Sequence, residues 1–88
     1  MSKYEPLTDF LKHQITDEVM LTFEDMEDKD KIGITLPDSA KTYPQWWENK
    51  STPTTRQCLA WLIAGWQVTA VDLTAERVTF SRLPVTHP

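Results

Sequence analysis

The sequence predicts an α+β domain with a winged-helix-like order, in which three or four short helices precede a C-terminal β-hairpin. Two observations lead to this prediction. The first is an apolar helix predicted over Thr54–Ala64, with Pro53 before it and Gly65 after it. The second is the run QVTAVDL, TAE and RVTFSR that follows directly, which has the period of a strand, a turn and a strand.

The predicted helix Thr54–Ala64 is the central element. Proline has a fixed φ that suits a helix start, and glycine adopts the left-handed conformation that often ends one. Its apolar residues recur at helical spacing, which predicts one apolar face formed by Leu59, Leu62, Ile63 and Trp66.

The elements before the central helix follow from shorter patterns. Residues Tyr4–Gln14 have an apolar stripe typical of an amphipathic helix, and Glu18–Thr22 is an apolar stretch that predicts a short strand. Thr22 and Asp25 have the spacing of a weakened capping box, so a short acidic helix, FEDMEDKDK, is expected after Thr22, with Lys29 and Lys31 in its last turn. Residues 37–39 predict a further helical turn. The helix–strand–helix–turn–helix–hairpin order is that of a winged helix.

The hairpin is predicted to be half-buried, with alternating sides. Its inward face is expected to hold Val68, Ala70, Val78 and Phe80. Its outward face is expected to hold Thr69, Thr79 and Ser81. Residues 1–82 are predicted to form a single domain, and residues 83–88, which contain two prolines, a C-terminal tail.

Composition limits the function classes. With 88 residues there is room for one modest core, and the four tryptophans can supply much of it. The net charge of -4 argues against a generally basic nucleic-acid binder. The single cysteine, Cys58, allows no internal disulfide and is expected to be a buried, inert thiol. No membrane span or signal peptide is recognisable, so a cytoplasmic location and no membrane contact are expected.

Catalytic chemistry has little support in the sequence. The two histidines, His13 and His87, have no nucleophile or metal ligand at a recognisable spacing. The two glycines lie too far apart for a phosphate-binding loop. We therefore expect no enzymatic activity, no catalytic residues, no cofactor and no metal site.

The leading hypothesis is DNA binding, with the central helix as recognition helix and the hairpin as wing. Arginine and glutamine read base edges, and lysine, threonine and arginine contact phosphates. The residues predicted to bind nucleic acid are Lys50, Thr54, Thr55, Arg56, Gln57 and Arg77. The alternative interpretation of these residues is the polar, solvent-facing side of any amphipathic helix.

The second hypothesis is a protein-interaction module, for example a phage-type inhibitor. An acidic surface favours a basic partner. Adjacent tryptophans cannot both face one core from a regular element, so one of the pair is expected to be partly exposed. The residues predicted to contact a protein are Glu24, Asp25, Asp28, Trp46 and Trp47. The oligomeric state does not follow from the sequence.

The chain also resembles a family of small, uncharacterised bacterial and phage domains. The resemblance rests on Leu36–Ala40, Trp46–Asn49, the run Ala60–Trp66 with Val68, Val71–Leu73 and Glu76–Phe80, and on Tyr4, Pro6, Leu7 and Leu11 near the start. It covers most of the chain apart from the tail. It implies no catalytic residues, and only a mild preference for nucleic acid, because such domains occur alone or attached to nuclease-like partners. The segment FEDMEDKDKIGI and the Pro- and Thr-rich segment before the central helix depart from the family pattern.

Overall fold

A computed structural model describes residues 3–52 and 56–84 of the chain. The helices are α1 (Glu5–Lys12), α2 (Phe23–Glu27), α3 (Asp38–Thr42), a 3₁₀-helix (Pro44–Trp47) and α4 (Leu59–Leu62). The strands are β1 (Glu18–Thr22), β2 (Trp66–Asp72) and β3 (Arg77–Arg82). The α+β class, with short helices and a C-terminal hairpin, is confirmed.

The three strands form one antiparallel sheet in the order β1-β3-β2. The short strand β1 therefore extends the predicted hairpin, since Val19 lies opposite Phe80 and Leu21 opposite Val78. Because β3 is central, β1 and β2 are both edge strands. The inner face of the sheet is apolar and packs on the helices.

The predicted inner face of β2 is wrong at one position. Val68 lies opposite Phe80, but the register then shifts, so that Ala70 lies opposite Thr79 and Val71 opposite Val78. A β-bulge inserts one extra residue and turns the following side chains to the other face. Ala70 is therefore exposed, and Val71 packs against the core in its place.

The helix α2 begins as predicted and ends early. The hydroxyl of Thr22 accepts from the backbone N–H of Asp25 at 3.0 Å, and the Asp25 carboxylate accepts from the backbone N–H of Thr22 at 3.1 Å. This reciprocal pair is the predicted capping box. The helix ends at Glu27, so Lys31 does not lie in its last turn; instead its ammonium lies 2.7 Å from the Asp25 carboxylate.

The central helix is much shorter in the described residues than predicted. The helix α4 begins at Leu59 and ends at Leu62. Gly65 does end the helical region, with φ of +86°. Thr54 and Thr55 lie outside the described residues, and Arg56 and Gln57 precede α4.

The predicted apolar face of this helix is only partly inward, with Trp66 buried and Leu62 packed on the core. Ala60 and Trp61 are buried, whereas Leu59 and Leu62 are half-buried and Ile63 is 65% exposed. The run from Cys58 to Trp66 is apolar on every side, so its periodicity does not define which side is inward. The buried cysteine, Cys58, is confirmed.

The core is built on aromatic side chains. Its largest fully buried side chains are Trp47, Trp61, Trp66 and Phe80. The rings of Trp47 and Trp61 are stacked with centroids 5.8 Å apart, and Phe23 stacks on the other side of Trp47 at 5.9 Å. Offset stacks of this kind add to the free energy gained by burial.

Asn49 connects this core to the edge of the sheet. Its amide oxygen accepts from the Trp61 indole N–H at 2.9 Å and from the backbone N–H of Val68 at 2.8 Å. Its amide N–H donates to the backbone carbonyl of Val68 at 2.8 Å. One side chain thus pairs with an edge strand as a neighbouring strand would, and also satisfies a buried indole.

Candidate functional site

The residues predicted to bind nucleic acid lie on different segments of the chain where the structure describes them. Arg56 is exposed in the segment before α4, and Lys50 is exposed in the preceding loop. Arg77 is the first residue of β3 and lies opposite Thr22 and Asp72. Trp66 and Arg82 pair at the other end of the hairpin, so Arg77 lies near the hairpin tip, whereas Arg56 precedes α4.

Gln57 is committed to the fold. Its side-chain amide donates to the backbone carbonyl of Trp46 at 3.1 Å, and the residue is half-buried. An amide held in this way is not presented as a reader of base edges. The helix that was predicted to read DNA begins at Leu59 in the described residues, after Arg56 and Gln57.

Two of the three predicted acidic residues, Glu24 and Asp28, border a groove between α2 and the tip of the hairpin. The groove has a volume of about 590 Å³, and its carboxylates come from Glu24, Glu27, Asp28 and Glu76. Lys41 also lines it and lies 3.0 Å from the Glu27 carboxylate. We refer to this region as the acidic groove.

Two carboxylates of α2 already have partners. The Lys31 ammonium, with the Thr22 backbone N–H, lowers the pKa of Asp25 below its usual 3.8. The Lys41 ammonium, with the Leu36 backbone N–H, lowers the pKa of Glu27 below its usual 4.5. Asp25 therefore caps α2, and Asp28 also has a partner, since its carboxylate accepts from the backbone N–H of Asp30 at 2.9 Å.

The tryptophan pair divides as expected, with one member partly exposed. Trp46 is half-buried at the surface. Trp47 is 1% exposed, and its indole N–H donates to the Ala40 carbonyl at 2.8 Å. Trp47, which was predicted to contact a partner, lies in the core, and the Trp46 ring packs edge to face on it with centroids 4.7 Å apart.

Two concavities meet at Arg56. One, of about 370 Å³, is lined on its aromatic side by Tyr4 and Trp46 and also by Lys3. The other, of about 270 Å³, is lined by Thr8, Leu59, Ala60 and Ile63. Arg56 lines both, and we name the two together, with these residues, the Arg56 groove.

Helices α1 and α4 form the walls of this groove. Tyr4 at the start of α1 shares one concavity with Arg56, and one turn later the Thr8 hydroxyl donates to the Ala60 carbonyl at 2.7 Å. This hydrogen bond joins α1 to α4 beside the groove. Leu59 and Ile63, four residues apart, lie on one side of the α4 region.

The aromatic side of the groove is fixed by ring contacts. The rings of Tyr4 and Trp46 meet edge to face with centroids 5.7 Å apart. The Lys3 ammonium lies 5.3 Å from the centroid of the Tyr4 ring. These contacts leave a cation and an aromatic edge beside Arg56.

Arg56 makes no ion pair within residues 3–52 and 56–84. A guanidinium has five N–H donors in a planar fork that fits a carboxylate or a phosphate. The aliphatic side of the groove suits an apolar side chain. The arrangement can therefore hold an anionic group next to an aliphatic one.

Of the residues that line the Arg56 groove, Arg56 and Trp46 were predicted from the sequence as binding residues, whereas Lys3, Tyr4, Thr8 and Ile63 were not. Ile63 was assigned to the core from periodicity, and Tyr4 to the start of an amphipathic helix. No pattern in the sequence brings the start of α1 next to Arg56, because the two are separated by most of the chain.

A comparison with protein families assigns the chain to one of them. Residues 4–84 match a family described as a domain of unknown function (DUF7662). The chain belongs to this family. The predicted resemblance to an uncharacterised domain is thus confirmed at that level, and the match spans all the described elements. No curated protein and no solved structure gives a significant match.

The described residues also bear on membrane spans and on metal-ligand clusters. No helix among them is long and apolar enough to cross a bilayer. Within the same residues, no three His, Cys, Asp or Glu side chains are grouped so that they could share a metal ion.

Proposed function

We propose that this domain is a non-catalytic binding module that holds a segment of a partner protein in the Arg56 groove. The observation that carries the proposal is an exposed guanidinium without an ion pair among the described residues, at the junction of an aromatic and an aliphatic concavity. An exposed apolar surface beside a directional charged group is typical of a recognition site.

The chemistry of the groove defines the ligand. A carboxylate accepts two hydrogen bonds from the fork of Arg56, and Lys3 adds a second positive charge on the aromatic side. An aliphatic side chain fits between Thr8, Leu59 and Ile63. The ligand is therefore a short segment with an aliphatic residue close to an Asp, a Glu or a C-terminal carboxylate.

The charge distribution supports a protein ligand over a nucleic acid at this site. The domain carries 13 acidic residues against 9 Lys and Arg, so its long-range field repels a polyanion. A small ligand with one carboxylate meets only the local charge of Lys3 and Arg56. Asp25 and Trp47, which the inhibitor hypothesis needs as contacts, stabilise the fold instead.

The test uses an array of short synthetic peptides in which one isoleucine and one aspartate occupy all relative positions in a glycine–serine background. Peptides with both residues are expected to bind, and those with either residue alone to bind weakly. Arg56→Ala should lose binding, since a charge-assisted contact at an interface is removed. Arg77→Ala is the matched control, because Arg77 is also exposed and lies near the hairpin tip. Equal binding by the two variants contradicts the proposal.

DNA binding is the second candidate, and the sheet order favours it. The strand β1 lies between the first two helices in sequence and pairs with the last strand, β3. The resulting sheet order, β1-β3-β2, is compatible with a winged-helix-like domain. Arg56 and Lys50 then contact phosphates, and the hairpin tip with Arg77 is the wing. Fluorescence anisotropy of a labelled duplex at two salt concentrations distinguishes the candidates. Affinity that falls steeply with salt, and falls in both Arg56→Ala and Arg77→Ala, supports DNA as the ligand.

A further inference from the structure

The loop between α1 and β1 displays an isoleucine almost completely to solvent. Ile15 is 97% exposed, the highest value among the exposed large apolar residues of the described chain. Single exposed apolar residues are common on protein surfaces. The surroundings of Ile15 distinguish it, because side-chain hydrogen bonds hold the loop that carries it.

Arg82 fixes this loop. One of its terminal nitrogens donates to the carbonyl of Gln14 at 2.7 Å and to that of Thr16 at 2.9 Å, one on each side of Ile15. Its guanidinium lies 4.7 Å from the centroid of the Trp66 ring, and its backbone N–H donates to the Asp17 carbonyl at 2.8 Å. We call Ile15, Thr16 and Asp17 the Ile15 loop.

The loop is further fixed at both ends. The Gln14 amide donates to the Phe10 carbonyl at 3.1 Å, and the Thr16 hydroxyl donates to the Glu18 carbonyl at 3.0 Å. A segment that is already ordered loses little conformational freedom when it binds. Ile15 is therefore presented as a preorganised apolar side chain.

The Ile15 loop has the chemistry that the Arg56 groove is proposed to bind. Ile15 is the aliphatic residue, and Asp17, two residues later, has a carboxylate that is 95% exposed. Its contact with the Arg82 guanidinium, at 3.4 Å, is an exposed pair of small energetic value. An aliphatic residue next to an accessible carboxylate thus complements an aliphatic concavity next to an accessible guanidinium.

We propose that the occupant of the Arg56 groove is the Ile15 loop of a second copy of this chain. Ile15 of one copy lies between Leu59 and Ile63 of the other, and Asp17 meets Arg56. This inference rests on the proposed function, because it names the partner of the same groove. It follows from the complementarity of apolar and charged groups that the chain carries on two separate surfaces.

A two-fold dimer makes the contact reciprocal, because each copy carries both the Ile15 loop, which follows α1, and the Arg56 groove, which includes Leu59 of α4 and Ile63 after it. A two-fold axis that brings one loop to the opposite groove then brings the second loop to the first groove. Such an isologous arrangement closes as a dimer and forms each contact twice.

The experiment is sedimentation equilibrium of the full chain over a range of concentrations, with charge-swap variants. The wild type is expected to show a monomer–dimer equilibrium. Ile15→Ser, Asp17→Arg and Arg56→Asp should each raise the dissociation constant about tenfold or more, as for other close interfacial pairs. The double variant Asp17→Arg with Arg56→Asp should restore dimerisation, because the pair is re-formed with its signs exchanged.

Two matched controls separate this interface from general surface effects. Met20→Ser removes another exposed apolar side chain, which is 53% exposed on β1. Arg77→Asp changes the charge by the same amount as Arg56→Asp, but near the hairpin tip. Neither should alter the equilibrium. Restoration in the double variant also shows that the single variants had not simply unfolded.

Three outcomes overturn the inference. A wild type that remains monomeric but binds the isoleucine–aspartate peptides overturns self-association and leaves the proposed function intact. A wild type that neither dimerises nor binds the peptides overturns both. A dimer whose dissociation constant is unchanged in Asp17→Arg and Arg56→Asp places the interface on another surface.

Discussion

The hydrogen bonds of Asn49 give the sharpest prediction about stability. Asn49→Ala removes all three bonds that its amide makes, two to the backbone of Val68 and one to the Trp61 indole. Each bond is worth about 1 kcal/mol net, and a buried donor left without a partner costs about 1–3 kcal/mol. Trp61 is 1% exposed, so its indole N–H is such a donor. We expect a loss of about 2–4 kcal/mol, and a fall in Tm of about 10–30 °C for a domain of this size.

The loss is measured by urea denaturation monitored by tryptophan fluorescence. Gln57→Ala is the matched control, because that amide makes one hydrogen bond to a backbone carbonyl and should lose about 1 kcal/mol. A double-mutant cycle with Trp61→Phe isolates the indole contact, with an expected coupling of about 1 kcal/mol. If Asn49→Ala loses no more stability than Gln57→Ala, Asn49 does not hold the edge of β2 to the core.

Three further predictions test the fold. Gly65→Ala should lower the free energy of unfolding, measured by urea denaturation, by about 1–2 kcal/mol. Gly65 has φ of +86°, and an added Cβ meets nothing within 4 Å, so the loss comes from backbone strain alone. An unchanged urea midpoint would contradict the left-handed helix end. The pKa of Asp25 is lowered in the folded state, so near pH 3.8 the unfolded chain binds more protons than the folded one. The stability that Asp25 contributes above that pH is therefore lost as the pH falls further. Asp25→Asn should show a shallower acid-induced loss than Asp30→Asn, and equal slopes would argue against the capping contacts. Ala70→Lys should change stability by less than about 0.5 kcal/mol, because the bulge turns Ala70 to solvent, whereas Val71→Lys should cost more; the reverse order would mean that β2 has no bulge.

Features set by neighbouring residues were predictable from the sequence. Thr22 and Asp25 form their capping box, and Gly65 ends the α4 region in the left-handed conformation. The strand Glu18–Thr22 also has its predicted bounds. Each of these depends on side chains within a few residues, so the local pattern contains the necessary information.

Features set by distant residues were not predictable. The pairing of β1 with β3 joins segments far apart in sequence, and the bulge in β2 follows from fitting that strand against β3. The exposure of Ile63 is decided by which side of α4 meets Trp47 and α1, since the run itself is apolar all round. The role of Asn49 required Trp61 and Val68 to be brought together by the fold.

The candidate site follows the same rule. Arg56 was predicted as a binding residue because it is a cation among polar and apolar residues. Its neighbours in the groove, Tyr4 and Thr8, come from the N-terminal part of the chain. The hypothesis of a recognition helix placed Arg56 and Gln57 on one helical face. The structure instead uses Gln57 to hold the 3₁₀-helix, which places Trp46 beside Arg56.

The most direct test of the Arg56 groove is an NMR titration of the isotope-labelled domain with the best isoleucine–aspartate peptide from the array. The account predicts that the largest amide shift changes fall on Thr8, Arg56, Leu59 and Ile63, and that they disappear in Arg56→Ala. Shift changes concentrated on Glu24, Asp28 and Glu76 would place the partner in the acidic groove and contradict the account.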